Sequence, residues 1–295
     1  MSRAIKIGWC SLLVSVVVLG MKAGAYLLTG SVALYSDALE TVINVVAAAG
    51  ALTALWFSEL PPDDNHPYGH HKAEYLSAVV EGALVLATSA AILHGAWDGW
   101  NHPHRPTAPF LGIGLNAAAG VINLLWALVL LRCGRRWKSP ALTAGGKHLM
   151  TDVWTTGGVL MAFALVPLTG ELRIDATVAA LVALHILWVG YRMLRESVGG
   201  LMDEVQDPDS LNRLRRAISE NADGAIEAHD LRSRTAGSVT FVEFHLVVPG
   251  QMTVEASHAI CDRLEAALRE EVGEAVISIH VEPEPKAKLV GVPVL

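Results

Sequence analysis

Five polar residues break two of the chain's apolar stretches, and all are of types that bind metal ions: Asp37, Glu40 and Asn44 in the first, His148 and Asp152 in the second. Each set has helical spacing. Residues 37, 40 and 44 follow an i, i+3, i+7 pattern and residues 148 and 152 stand one turn apart, so each set shares one helix face. Where the two faces meet, Glu40, Asn44, His148 and Asp152 supply four nitrogen and oxygen donors around one point, the number a tetrahedral divalent ion takes. The bland reading is hydrogen bonding between helices. It suffices for Thr41, Thr151, Thr155 and Thr156, and for His94 and His185, which have no companion at ligand spacing. Two matched pairs that hold a histidine and two carboxylates call for more than that.

A second cluster lies in the run Pro61-Pro62-Asp63-Asp64-Asn65-His66-Pro67-Tyr68-Gly69-His70-His71-Lys72-Ala73-Glu74. The prolines stop a helix. Three histidines within six residues, beside two aspartates, have the chemistry of a surface metal site, set against the plainer reading of a solvated polar loop.

These residues need long apolar elements to position them. Of the 295 residues, 52 % are hydrophobic and 17 % charged, and the apolar ones come in blocks up to about Leu201. A helix that crosses a bilayer needs about 20 apolar residues. Six stretches qualify: Ile7–Leu28, Val32–Phe57, Leu76–Trp97, Pro109–Leu131, Leu149–Leu168 and Ala176–Leu194. A cleaved signal peptide is rejected for the first, because a second spanning run follows after Thr29-Gly30-Ser31 alone. With the N-terminus inside, inner segments hold Arg3, Lys6, Lys72, Arg132, Arg135, Arg136, Lys138, Lys147, Arg192 and Arg195, and outer loops only Arg105 and Arg173. That asymmetry places both termini in the cytoplasm. Isolated charges in hydrocarbon cost about 2.5–3.5 kcal/mol on insertion scales, so polar groups at that depth point to transport more than to anchoring.

The formal net charge of −7 sits largely after Asp203, which argues against nucleic acid as a partner. Cys10, Cys133 and Cys261 lie far apart, with no disulfide framework or cysteine zinc knuckle. In the tail, a helix over Leu211–Asn221, strands over Ala225–Arg234 and Ser238–Val248 with a Thr235-Ala236-Gly237 turn, an amphipathic helix over Thr253–Val272 and a strand over Ala275–Val281 are expected. The order α-β-β-α-β predicts a two-layer α+β domain. The expected organisation is a six-helix transmembrane domain over 1–203, a cytoplasmic domain over 204–285 and a flexible tail over 286–295.

The sequence resembles the cation diffusion facilitators, bacterial members especially. The resemblance rests on Ser36-Asp37-Ala38-Leu39-Glu40-Thr41-Val42-Ile43-Asn44, on Asp64-Asn65-His66-Pro67-Tyr68-Gly69-His70 followed by Lys72-Ala73-Glu74, on His148 with Asp152, and on His229-Asp230-Leu231-Arg232. It implies a homodimer in the bilayer, in a bacterial inner membrane, that exports a divalent metal ion in exchange for protons. By motif the transport site is Glu40, Asn44, His148 and Asp152, and a loop site uses Asp63, His66 and His70. Lys72 and Asp203 match a charge pair that latches the two halves in the family. His229, His245, His258, His280 and Glu282 match positions where relatives hold regulatory metal, in a metallochaperone-like (ferredoxin-like) domain that dimerises. Cys261, one turn after His258, reads as a buried helix cysteine.

The chain departs from the pattern at one pair. Zinc-exporting relatives usually carry His or Asp on the second helix, then Asp four residues later. Here the pair is Glu40 and Asn44. Asparagine is neutral and exchanges no proton, so zinc (Zn2+) stays the default while iron (Fe2+), cobalt (Co2+) and manganese (Mn2+) gain ground, with nickel and cadmium also open. Proton coupling then leans on His148, whose ring titrates near neutrality when unperturbed. Against the exporter stands a non-transporting metal-sensing or partner subunit with a degenerate site. An intramembrane metalloenzyme would need a His-Glu-x-x-His helix, which the sequence lacks, so no enzyme is expected.

Overall fold

In the computed structural model, residues 2–29, 32–102, 110–205, 208–288 and 292–293 are described, without the side chains of 28, 29, 32–37, 39, 40, 110–112, 163, 208, 292 and 293. The side chains of Asp37 and Glu40 therefore lie outside the described residues. Two compact units are present, Met1–Val198 and Gly199–Leu295.

The first unit is built of helices: α1 (Arg3–Thr29), α2 (Val32–Ser58), α3 (Ala73–Asn101), α4 (Phe110–Arg136), α5 (Pro140–Thr169) and α6 (Arg173–Leu201). All six are long and apolar enough to cross a membrane. The shortest has 27 residues, about 40 Å at 1.5 Å per residue, against a hydrocarbon core of about 30 Å. Helices α1, α3, α5 and α6 extend past their expected apolar runs at both ends and α4 at its C-terminal end, because polar and charged ends can stay helical once they leave the hydrocarbon. Leu13, Val46, Val80, Leu125 and Leu181 are exposed along the outer surfaces. Such a surface has lipid as its natural solvent.

Helix α5 is the most enclosed of the six. Its N-terminus is set by Ser139, whose hydroxyl accepts from the Leu142 amide at 3.3 Å, with Pro140 at the first helical position. One side of it joins a core of Ile5, Leu52, Leu55, Ala127 and Leu130, from α1, α2 and α4. Another side brings Ala144 against Ala78 and Val85 of α3 and Ile186 and Met193 of α6. Small residues allow this approach: a Cβ on Gly146 would stand 2.8 Å from Leu131 Cγ on α4. The fifth helix thus lies where the residues it carries can be reached from α2 and α3.

The second unit contains α7 (Pro208–Asn221), β1 (Glu227–Ala236), β2 (Val239–Val248), α8 (Val254–Val272), β3 (Ala275–Pro283), a 3-10 turn (Glu284–Lys286) and β4 (Val292–Pro293). The sheet order is β3-β2-β1-β4, with β2 and β3 parallel across the α8 crossover and the other pairs antiparallel. Leu214 and Ile218 of α7 and Leu264 and Leu268 of α8 bury against Phe244 and Leu246 on one sheet face. Alternation along β2 turns His245 to the other face.

The α-β-β-α-β expectation matches this unit, with two differences. The hairpin turn is Gly237-Ser238, because Thr235 and Ala236 stay paired with Thr240 and Val239. Gly237 supplies φ +58, a conformation that two-residue hairpins favour at their first position. The segment expected as a flexible tail, 286–295, contributes β4, which pairs with Glu227 and Ala228 on the outer side of β1. An edge strand left bare exposes unpaired backbone groups, and this short strand covers part of it.

Candidate metal sites

The membrane site is built on α2 and α5. Asn44, His148 and Asp152 are all buried. The Asn44 amide donates from Nδ2 to Asp152 Oδ2 at 2.6 Å, and His148 Nε2 meets Asn44 Oδ1 at 2.9 Å. A carboxamide oxygen only accepts, so in this arrangement Nε2 carries the proton and Nδ1 holds the lone pair. Nδ1 is buried and has no hydrogen-bond partner. Asn44 thus bridges the two α5 residues. Of the four residues expected here, three come together; the Glu40 side chain is outside the described residues. Thr151 and Thr155 donate to carbonyls three residues back on α5, to His148 at 2.7 Å and to Asp152 at 2.8 Å.

Two further carboxylates matter, and periodicity passed over both. Glu74 joins three helix ends: it accepts from Ser58 Oγ on α2 at 3.4 Å, from Ser139 Oγ, and from the Ala141 amide on α5 at 3.4 Å. Glu81 is 2 % exposed, and its Oε2 has no hydrogen-bond partner. It lines a small cavity, about 30 Å3, shared with Ser11, Ser15, Asn44 and His148. Its signal in the sequence was a single acidic residue inside the Leu76–Trp97 run, with no companion at ligand spacing.

The structure brings the loop trio together. Ligand atoms of Asp63, His66 and His70 lie within 4.8 Å of one another. Asp63 is 3.1 Å from His66 Nδ1 through Oδ1 and 3.4 Å from His70 Nε2 through Oδ2. Gly69, at φ +80, turns the chain so that His70 folds back beneath the loop, where the Phe57 ring meets it edge-on at 4.7 Å. The backbone amide of His66, followed by contributions from its side chain and from Asn65, holds the Asp63 carboxyl below its ordinary value. Asp63 is therefore an anionic donor already fixed in direction.

In the second unit, strand register sets the site. His229 pairs with His245 across β1 and β2, and His245 pairs with His280 across β2 and β3. Glu282 stands among them, 3.3 Å from His229 Nε2, 3.5 Å from His245 Nδ1 and 3.7 Å from His280 Nε2. Glu227 takes the other ring nitrogen of His229 at 3.1 Å, the kind of outer contact that orients a ligand. A bulge follows, with Asp230 at φ +53, so its carboxylate also comes within 4.8 Å of the His229 and His245 donors. Lys288 holds that carboxylate at 2.6 Å and is the main cause of its lowered pKa.

His258 is not brought to this cluster. It is exposed on α8, 3.7 Å from Asp262, and α8 covers the opposite sheet face. Asp203, in the second unit, lies 3.5 Å from Arg234, and Lys72 is the N-cap residue of α3.

Six bilayer-length helices, buried ligand-type residues between two of them and a separate α+β unit define a membrane transport protein. The chain belongs to the cation efflux, or cation diffusion facilitator, family: the model of the cation efflux transmembrane domain matches residues 8–202, and that of the cation efflux protein cytoplasmic domain matches residues 206–284. It is 40 % identical over 271 residues to an uncharacterized transporter of Synechocystis, sll1263, covering 91 % of this chain and 87 % of the relative. It is 30 % identical over 270 residues to the cation-efflux pump FieF of Pectobacterium atrosepticum, covering 92 % and 89 %. Among solved structures, the Zn form of CzrB is 45 % identical over 30 % of this chain and 99 % of that one, with a TM-score of 0.28. The protein is an integral membrane cation-efflux transporter and not an enzyme.

Proposed function

We propose that the protein exports a divalent transition-metal ion from the cytoplasm in exchange for protons, as a homodimer in a bacterial inner membrane with both termini cytoplasmic. The observation that carries this reading is the buried bridge from Asn44 to His148 and Asp152. Metal ligands must be free of protons at the donor atom, so an arriving cation releases protons. Asp152 and Glu40 supply charge, His148 supplies an imidazole nitrogen, and Asn44 turns its carboxamide oxygen from a hydrogen-bond acceptor into a ligand. Asn44 exchanges no proton, so His148 and the carboxylates carry the coupling. The donor set is rich in oxygen. Zinc remains the default, and manganese, iron and cobalt are better served here than by a site with a second histidine on α2; nickel and cadmium complete the set to assay.

The cytoplasmic cluster around Glu282 and the loop trio are assigned to regulation by the same divalent ions, His258 acting outside the single-chain cluster. The Lys72–Asp203 charge pair is retained as a latch in this proposal.

A second reading has its own support. The Asn44 bridge ties α2 to both α5 residues through hydrogen bonds, as expected of a closed, non-transporting partner or sensor subunit. Uptake of zinc, manganese, iron, cobalt, nickel and cadmium into vesicles carrying a proton gradient separates the two. Export predicts flux that Asp152→Ala and Glu40→Ala abolish. Absence of flux for all six ions would sink it.

A further inference from the structure

We propose that Glu81 is a cation-holding residue: with Ser11 and Ser15 it offers oxygen donors to a divalent ion in an otherwise largely apolar cavity that reaches Asn44 and His148. The inference deepens the export reading and rests on it for its place in a transport path.

The first observation is a contrast on one helix. Glu74 and Glu81 are the two buried carboxylates of α3, two turns apart. Glu74 is satisfied by two hydroxyls and an amide. Glu81 Oε2 has none. A carboxylate used as helix glue behaves like Glu74, because burying an ionisable oxygen without a partner is costly and that cost selects for donors around it. An orphaned one inside a membrane domain marks a group whose partner comes and goes.

The second observation is the cavity. Glu81 lines it with Ser11 and Ser15 of α1, Asn44 of α2 and His148 of α5. Opposite the carboxylate, α5 presents Gly145, where a Cβ would stand 3.7 and 3.8 Å from the two oxygens. Gly145 precedes His148 by almost one turn, toward the N-terminal end of α5. With cytoplasmic termini that end faces the cytoplasm, so an outbound ion meets Glu81 before His148.

The third observation concerns charge. Asn44 is neutral where a carboxylate ligand would serve, and Glu81 brings a carboxyl group to the same cavity from a different helix, an anionic donor once an arriving cation displaces its proton. Carboxylate plus hydroxyls is a hard donor set that suits manganese or iron better than a nitrogen-rich site does. A partly hydrated ion is the expected occupant.

The test uses the full-length protein. Equilibrium binding of Mn2+ and Zn2+ in detergent, thermal melting without metal and vesicle flux are compared for wild type, Glu81→Gln and Glu81→Asp. Glutamine keeps the shape and removes the charge. The expected result for Glu81→Gln is loss of one Mn2+ per chain, or weakening of one site by about tenfold or more, with a melting temperature equal to or above wild type. Glu81→Asp keeps the site. Identical Mn2+ isotherms for wild type and Glu81→Gln, or a lowered melting temperature with unchanged binding, overturn the proposal in favour of a structural carboxylate. Flux separates the two readings. No wild-type flux together with a binding loss in Glu81→Gln refutes export and leaves the Glu81 station standing; wild-type flux with unaltered binding and flux in Glu81→Gln refutes the station alone.

Discussion

Asn44 on α2 holds Asp152 on α5 through its amide nitrogen at 2.6 Å and His148 through its carboxamide oxygen at 2.9 Å. A carboxylate at this position could accept from His148 but would confront Asp152 with like charge. The neutral side chain therefore ties both α5 residues to α2 and leaves His148 Nδ1 without a partner, and a cation that takes Asn44 and Asp152 as ligands must break those two bonds.

Replacing that amide tests the balance in both directions. Asn44→Asp is expected to raise zinc affinity at the membrane site by about tenfold or more, since an anionic oxygen replaces a neutral one. The same change should lower the metal-free melting temperature, which added zinc then restores. Asn44→Ala removes one hydrogen bond from a buried carboxylate and one from a buried imidazole and should cost about 1–3 kcal/mol. Isothermal titration and melting curves with and without metal read both effects. Equal zinc affinity in Asn44→Asp and wild type would remove residue 44 from the ligand set.

The sheet cluster is ordered by Glu282, which three histidines share, and by Glu227 behind His229. Glu227→Gln alters no ligand of the cluster yet should weaken metal binding by about 10- to 100-fold, the usual penalty for loosening an orienting contact. His258→Ala should leave affinity at the four-residue cluster within about twofold, because its side chain lies on the other side of the sheet. Zinc titration of the purified protein with a competing chelator discriminates the two variants. A loss in His258→Ala as large as that in Glu227→Gln would place His258 in the same site.

How much of this was legible follows from which signals a linear pattern carries. His148, Asp152 and Asn44 stood out because ligand-type residues repeated at helical spacing inside apolar runs. Asp63, His66 and His70 stood out by density. Glu81 had neither repetition nor density. Its meaning lies in what surrounds it, a cavity and Gly145 on another helix, and no single-helix pattern contains that. The sheet cluster depended on register: His229, His245 and His280 align only because β1 pairs with β2 and β2 with β3 at those residues. His258 illustrates the converse, since a motif match does not say which side of a sheet a helix covers. The strand β4 was hidden in a Pro- and Lys-containing segment whose order comes from the β1 edge and not from its own propensity.

Cys261 offers a pH-dependent readout of the second unit. Burial against the helix-packed core, with the carboxylates of Glu265 and Asp262 adding to it, pushes its thiol above the ordinary value. The folded state therefore keeps its proton where the unfolded chain has lost it. The stabilising contribution is fully present below the unfolded thiol pKa and is lost as pH rises through the folded one. In a Cys10→Ser, Cys133→Ser background, iodoacetamide should react with folded protein at pH 8 at least several-fold slower than with urea-unfolded protein, and the gap should narrow at higher pH. Equal rates at pH 8 would mean that Cys261 is neither buried nor raised.

The last prediction concerns the frame that sets the transport site. Glu74 ties the C-terminal end of α2 to the N-terminal end of α5 from the start of α3, through Ser58, Ser139 and the Ala141 amide. Ser139 also caps α5, so the contact that starts that helix fixes where it begins relative to α2. His148 lies nine residues beyond Ser139 on a continuous helix, and a shift at the cap travels along it to the site. Glu74→Ala removes acceptors from two hydroxyls and an amide and should destabilise the protein by about 1–3 kcal/mol. Glu74→Gln keeps an acceptor oxygen and should fall between. A frame residue is expected to lower melting temperature and flux together, with metal stoichiometry unchanged in the folded fraction. Were Glu74→Gln instead to lose a bound ion at wild-type stability, Glu74 would belong with Glu81 on the cation path and the contrast between them would fail.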